Sequence, residues 1–131
     1  MTLTKLSLHR LMETAAHWHV PKDCYDPMAN YLVHGWEPGS CFSAVLANDF
    51  FVAIQYSHPA NTIEGFKAVT AWISNYFPRR AWGSYRALDD WLNLKEGQRR
   101  RYLEEANLIY TEQQEIIMGL QGATSQEPIL W

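Results

Sequence analysis

Ser40-Cys41-Phe42-Ser43-Ala44-Val45-Leu46-Ala47-Asn48-Asp49-Phe50-Phe51-Val52-Ala53-Ile54-Gln55-Tyr56 is the stretch that decides the fold class. Phe42, Val45 and Leu46 are spaced as one face of a helix, whereas Phe50, Val52, Ile54 and Tyr56 alternate as a strand would. A strand over 50–56 would make the chain mixed α and β. The upstream spacing favours a single helix from Ser40, its cap, to about Tyr56, and with it an all-α chain. On that helix Asp49 falls on the apolar side, beside Leu46 and Ala53. Phe51 falls on the opposite side, with Ala44, Asn48 and Gln55.

The flanking segments read as helices too. Upstream, Leu3, Leu6, Leu8, Leu11, Met12, Ala15, Ala16 and Trp18 recur at helical spacing over 3–19, and Val20-Pro21 ends the run. Asp26 as cap, Pro27 at the first helical position and Gly35 after His34 bracket a short helix over 26–34. Downstream of His58-Pro59-Ala60, Asn61 stands three before Glu64, in the manner of a capping box. Ile63, Phe66, Val69, Ile73, Tyr76 and Phe77 then form one stripe up to Pro78. Trp82-Gly83-Ser84 opens a fifth helix carrying Tyr85, Leu88, Trp91 and Leu92, and Gly97 serves as a joint. Tyr102, Ala106, Ile109, Tyr110, Ile117 and Leu120 align one long final helix over 98–120. The expectation is a single all-α domain of five or six helices over residues 1–122, with residues 123–131 as a flexible tail.

Composition narrows the classes. A chain of 131 residues with 47% hydrophobic and 19% charged residues suits one domain with a real core, not a disordered segment. Apolar runs of a few residues predict no transmembrane helix, and Met1–Lys5 with His9 and Arg10 predicts no secretory leader. Two cysteines, Cys24 and Cys41, fit a reducing cytoplasmic setting better than a disulfide framework. The net charge of −3 argues against general polyanion binding.

Several residues invite a chemical reading. Asp49, if buried, is either a general acid or base or a structural anchor that accepts hydrogen bonds from a neighbouring helix start, Trp82 to Ser84 among the candidates. The absence of a nucleophile, glycine loop or second carboxylate at a fitting spacing favours the anchor. Residues 79–101 hold seven basic side chains against three acidic ones, a local +4, while the remainder of the chain is −7. Arg79, Arg80, Arg99, Arg100 and Arg101 therefore form a candidate patch for an acidic protein surface or for phosphate, the bland alternative being solvated helix ends. His17 and His19 stand two apart and point to different sides of a helix, so no metal is expected, and no cofactor. Ser40 and Ser84 read as plain helix caps. Trp36 and Trp82 lie in loops and Trp131 ends an apolar Ile129-Leu130-Trp131, which makes these three, with Phe51, candidate partner contacts.

Tyr31-x3-Gly35-x2-Pro38-Gly39-x-Cys41-Phe42-x-Ala44-Val45-Leu46-x-Asn48-Asp49, with Asn61 and Trp82-Gly83-Ser84 further on, resembles a family of small proteins encoded by phages, prophages and plasmids. The resemblance covers roughly residues 20–92. Where that family often carries an acidic residue after the third helix, this chain has Ser57-His58-Pro59. The resemblance brings no activity with it; it implies a mobile-element origin and a small accessory role against host defence or nucleic-acid machinery. The sequence expectation is thus a non-enzymatic, cytoplasmic binder of a host protein that inhibits by steric blocking. A nucleic-acid binder using the Arg79–Arg101 patch is the alternative, and a small hydrolase using Asp49 a more remote one.

Overall fold

The dipeptide Asn48-Asp49 stops one helix and starts another. A computed structural model of the chain describes residues 8–58 and 61–117. Among these residues the fold is all-α, as the periodicity predicts, with no strand at 50–56. The helices are α1 (His9–His17), α2 (Tyr25–His34), α3 (Ser40–Leu46), α4 (Phe50–Gln55), α5 (Ile63–Tyr76), α6 (Tyr85–Asn93), α7 (Glu96–Glu105) and α8 (Glu112–Ile117). Short 3-10 turns at Lys22–Cys24 and Arg79–Ala81 lead into α2 and toward α6.

Among the described residues eight helices stand where five or six are expected, because two long apolar runs are broken by asparagines in the left-handed region. Asn48 has φ 62° and Asn107 φ 63°. At each, the chain closes a two-bond terminal motif. Asn48 N–H donates to Val45 O and Asp49 N–H to Ala44 O, while Asn107 N–H donates to Glu104 O and Leu108 N–H to Leu103 O. His19 (φ 57°) ends α1 in the same way, donating to Ala16 O while Val20 donates to Ala15 O. The predicted long helix over 98–120 therefore ends at Glu105, and the chain turns so that Leu108 and Ile109 are fully buried. Periodicity alone misses such breaks, because the apolar positions stay in helical phase across them.

α2 lies at the centre. It buries Met28, Ala29, Tyr31, Leu32 and Val33 and packs against α1 and α7. Its buried Tyr31 is tied at both ends, Tyr31 Oη donating to Ala81 O at 2.7 Å and Trp91 Nε1 donating to Tyr31 O at 3.1 Å. Trp72 of α5 donates its indole N–H to Thr14 of α1 at 2.9 Å. These three bonds let Tyr31, Trp72 and Trp91 enter the core with their polar atoms paired. Elsewhere α5 and α6 begin on side-chain caps, Thr62 accepting from Gly65 N–H and Ser84 from Ala87 N–H, each at 3.0 Å. The cap of α5 is thus Thr62, one residue beyond the expected Asn61. Ser40 is the first helical residue of α3 and makes no cap bond, α2 starts one residue before Asp26, and Gly97 lies within the first turn of α7.

Gly35 marks the end of α2 with φ 67°. A Cβ there would lie 2.7 Å from Nη1 of Arg99, so the glycine gives both the left-handed turn and the space. Arg99, from α7, is 6% exposed. Its Nε donates to Val33 O and its Nη2 to His34 O, each at 3.1 Å, and its Nη1 donates to Leu94 O. A buried cation is held here by carbonyls at the ends of α2 and α6, where the helix dipoles are negative. Burial lowers the guanidinium pKa, opposed by Glu96, yet an arginine stays protonated at any physiological pH.

Candidate protein-binding surface

α4 is short, and of its six residues only Ala53 is buried. Helices of this length do not persist alone in water. Three contacts hold it in place. Asp49 Oδ1 accepts from Val52 N–H at 3.3 Å and caps the first turn, while Oδ2 accepts from Tyr85 Oη of α6 at 2.7 Å. Cys41 Sγ of α3 donates to Ala53 O at 3.4 Å. Beside them, Gly83 N–H donates to Leu46 O at 2.7 Å and fastens the end of α3 to the turn before α6. Asp49 is half-buried, at the elbow between α3 and α4, and not in the core as a continuous helix requires. Its oxygens engage α4's own first turn and Tyr85, not the backbone of Trp82 to Ser84. The bond to Asp49 holds the Tyr85 hydroxyl above the usual tyrosine pKa.

The elbow turns the apolar side of α4 outward. Phe51 is 82% exposed and Phe50 51%, and Ile54 shares their face. Phe50 meets Phe66 of α5 edge-on, with ring centroids 5.8 Å apart, and Ile63, one turn before Phe66, is 63% exposed. The surface is continuous from α4 to the start of α5. Phe51 is legible in the sequence as an outward residue; Ile63 and Phe66 are not, because they belong to the α5 stripe that reads as core. For Phe50 and Ile54 the signal is the Asn-Asp pair itself, a left-handed stop with a cap directly after it.

The arginine patch does not form one surface. Arg99 is a buried clamp, which corrects its reading as a partner contact. Arg100 pairs with Glu104 at 3.1 Å and also donates to Tyr110 O. Arg101 is exposed and 3.9 Å from Glu105. Arg79 and Arg80 are exposed but each covers a ring, Arg79 over Trp82 at 4.2 Å and Arg80 over Tyr102 at 4.9 Å. Arg79 also donates to Trp82 O at 2.6 Å. Trp82 is half-buried under that guanidinium and borders a shallow groove of about 310 Å³ between α3 and α5. Trp36 is 60% exposed and stacks on His34, centroids 4.9 Å apart. Of the sequence candidates among the described residues, the structure brings together Arg79 with Trp82. Trp131 and the expected tail over 123–131 lie outside the described residues.

The thiols are poor nucleophiles at neutral pH: burial pushes Cys24 up to about 11 and raises Cys41 as well. Among the described residues, no three His, Cys, Asp or Glu side chains gather as a metal site would require, and no helix is long and apolar enough to cross a membrane. No protein-family model, curated protein or solved structure matches the chain.

Proposed function

We propose that this chain is a non-enzymatic protein-binding protein that docks through the face of α4 and the start of α5. The observation that carries this reading is the uncharged apolar surface of Phe50, Phe51, Ile54 and Ile63, exposed around a helix that buries one alanine. A monomeric soluble protein gains nothing from exposing such a cluster, and aromatic side chains are the usual anchors of protein interfaces. The three bonds through Asp49 and Cys41 hold α4 in place before binding, so little ordering entropy is lost on association.

The resemblance in the sequence to mobile-element proteins supports a host-directed role. In this reading the chain works in the host cytoplasm and covers a site on a defence or nucleic-acid-processing protein, blocking it sterically. Dispersal of the arginines weighs against the nucleic-acid alternative. Asp49 weighs against the hydrolase, since both its oxygens are engaged in holding α4.

The test is capture from host lysate, then reconstitution with the purified target. The expected result is a stoichiometric complex that Phe51→Glu abolishes while the variant melts with the parent protein. A complex indifferent to Phe51→Glu and Ile63→Glu would remove α4 from the account.

A further inference from the structure

We propose that the groove between α3 and α5 is a binding site for an acidic residue carried in an extended peptide. No residue of α4 lines it, and the inference is independent of the reading of the α4 face.

The wall of the groove selects its occupant. Asn48 after α3, Lys67, Thr70, Ser74 and Asn75 of α5, and Trp82 before α6 border a space of about 310 Å³. That is the lower end of the range for small-ligand sites. Among the described residues Lys67 is the one charged side chain of the wall; it is exposed and makes no ion pair. The carboxylates nearest in sequence stay out of the wall. Asp49 is engaged by Val52 N–H and the Tyr85 hydroxyl, and Glu64 lies a turn before Lys67. The groove therefore favours a negative group, and a basic one meets Lys67 with like charge.

The neutral polar side chains ask for more than an anion. Thr70 Oγ1 donates to Lys67 O at 3.0 Å, Ser74 Oγ to Ala71 O at 3.4 Å and Asn75 Nδ2 to Ala71 O at 2.8 Å. Both hydroxyl protons are thus turned back onto α5, and the oxygens remain as acceptors. The Asn48 carboxamide adds a donor and an acceptor. A bare carboxylate or phosphate meets the hydroxyl oxygens with its own and must break these bonds to gain any. A peptide carries one donor and one acceptor per residue and pairs with both kinds.

Trp82 adds a second, independent observation. Its ring lies under the Arg79 guanidinium, 4.2 Å from the centroid, and its indole N–H is buried with no acceptor among the described residues. A buried donor without a partner costs free energy that an acceptor recovers. A peptide carbonyl seated beside the ring supplies one when the indole turns toward the groove. One charge pair at an open surface and a few amide bonds make a weak site, with a Kd on the order of millimolar for a short peptide.

Heteronuclear NMR of the nitrogen-labelled full chain tests this at constant ionic strength. The probes are acetyl-Gly-Asp-Gly-amide, its Asn counterpart and sodium acetate, each up to about 20 mM. The Asp peptide should shift the Trp82 indole signal and the amides of residues 67–75 along one saturable curve. Its affinity should be roughly threefold to fivefold that of the Asn peptide, which keeps the amides and loses the charge. Acetate, which keeps the charge and loses the amides, should give no saturable shift. Lys67→Ala should melt with the parent protein and bring the Asp peptide to the level of the Asn peptide, while Arg101→Ala on α7 leaves the difference in place. Equal affinities for the two peptides in the parent protein overturn the inference. So does acetate matching the Asp peptide, which marks a site for an anion alone, and so does an indole signal that the Asp peptide leaves unmoved.

Discussion

Arg99 and Asp49 each close a joint between helices, with opposite results. At the end of α2, Arg99 reaches from α7 and donates to Val33, His34 and Leu94 carbonyls, and the joint is sealed inside the molecule. At the elbow between α3 and α4, Asp49 accepts from Val52 N–H and Tyr85 Oη, and the joint remains at the surface. Both satisfy helix termini that would otherwise leave polar groups unpaired. The first lets the central helix end within the core. The second holds a short helix outward with Phe51 at its crest. A polar cap can serve the interior or a display, depending on what lies behind the capped helix.

Substitutions at the two joints should separate these roles. The largest effect belongs to Arg99→Ala. Three carbonyls lose a charge-assisted donor in a buried site, and the expected loss is about 3 kcal/mol or more in urea unfolding. A loss under about 1 kcal/mol would mean that water replaces the guanidinium there. Gly35→Ala comes next. Its left-handed turn alone costs about 1–2 kcal/mol, and the added Cβ presses on Arg99 as well. If the two substitutions sum without coupling, the glycine and the clamp are not one device.

The elbow should respond less. Asp49→Ala removes the α4 cap and the Tyr85 bond for about 1–2 kcal/mol, with faster amide exchange confined to α4. Loss spread evenly over the core would contradict the view of α4 as a displayed element. The Tyr85–Asp49 bond also has a pH signature. The folded pKa of Tyr85 lies above the usual tyrosine value near 10, so its contribution is complete below the unfolded pKa and is lost as pH rises through the folded one. Tyr85→Phe should remove that alkaline step, visible in a tyrosinate absorbance titration, and leave stability at pH 7 falling only slightly. Smallest of all is Phe51→Glu, expected within about 0.5 kcal/mol of the parent because the ring is almost wholly exposed. A larger destabilisation would mean that Phe51 packs on its own chain.

The same contrast shows what the sequence makes legible. Local signals held where one residue acts on its own helix: Gly35 after α2, Ser84 before α6, and Pro78 after the apolar run of α5. The all-α class came from periodicity. The breaks at Asn48 and Asn107 escaped it because asparagine also sits within helices, and its left-handed turn is selected by the residues just beyond it. Beyond Asn107 these are Leu108 and Ile109, which the turn buries; beyond Asn48 it is Asp49, which caps α4. Arg99 escaped for a different reason. Its acceptors at Val33 and His34 lie some 65 residues away and are backbone carbonyls, which carry no side-chain signature, so composition counts it as surface charge. A continuous helix places Phe51 outward, whereas the helix breaks at Asn48-Asp49. The exposure of Phe51 comes from the small footprint of α4 on the core, a property of packing.

The central claim is that the α4 face binds protein, and calorimetric titration of the purified target with matched forms of the chain tests it most directly. Parent protein and Phe51→Glu, shown to melt together, should differ at least a hundredfold in affinity, with a one-to-one complex for the parent. Equal affinities for the two forms would contradict the account.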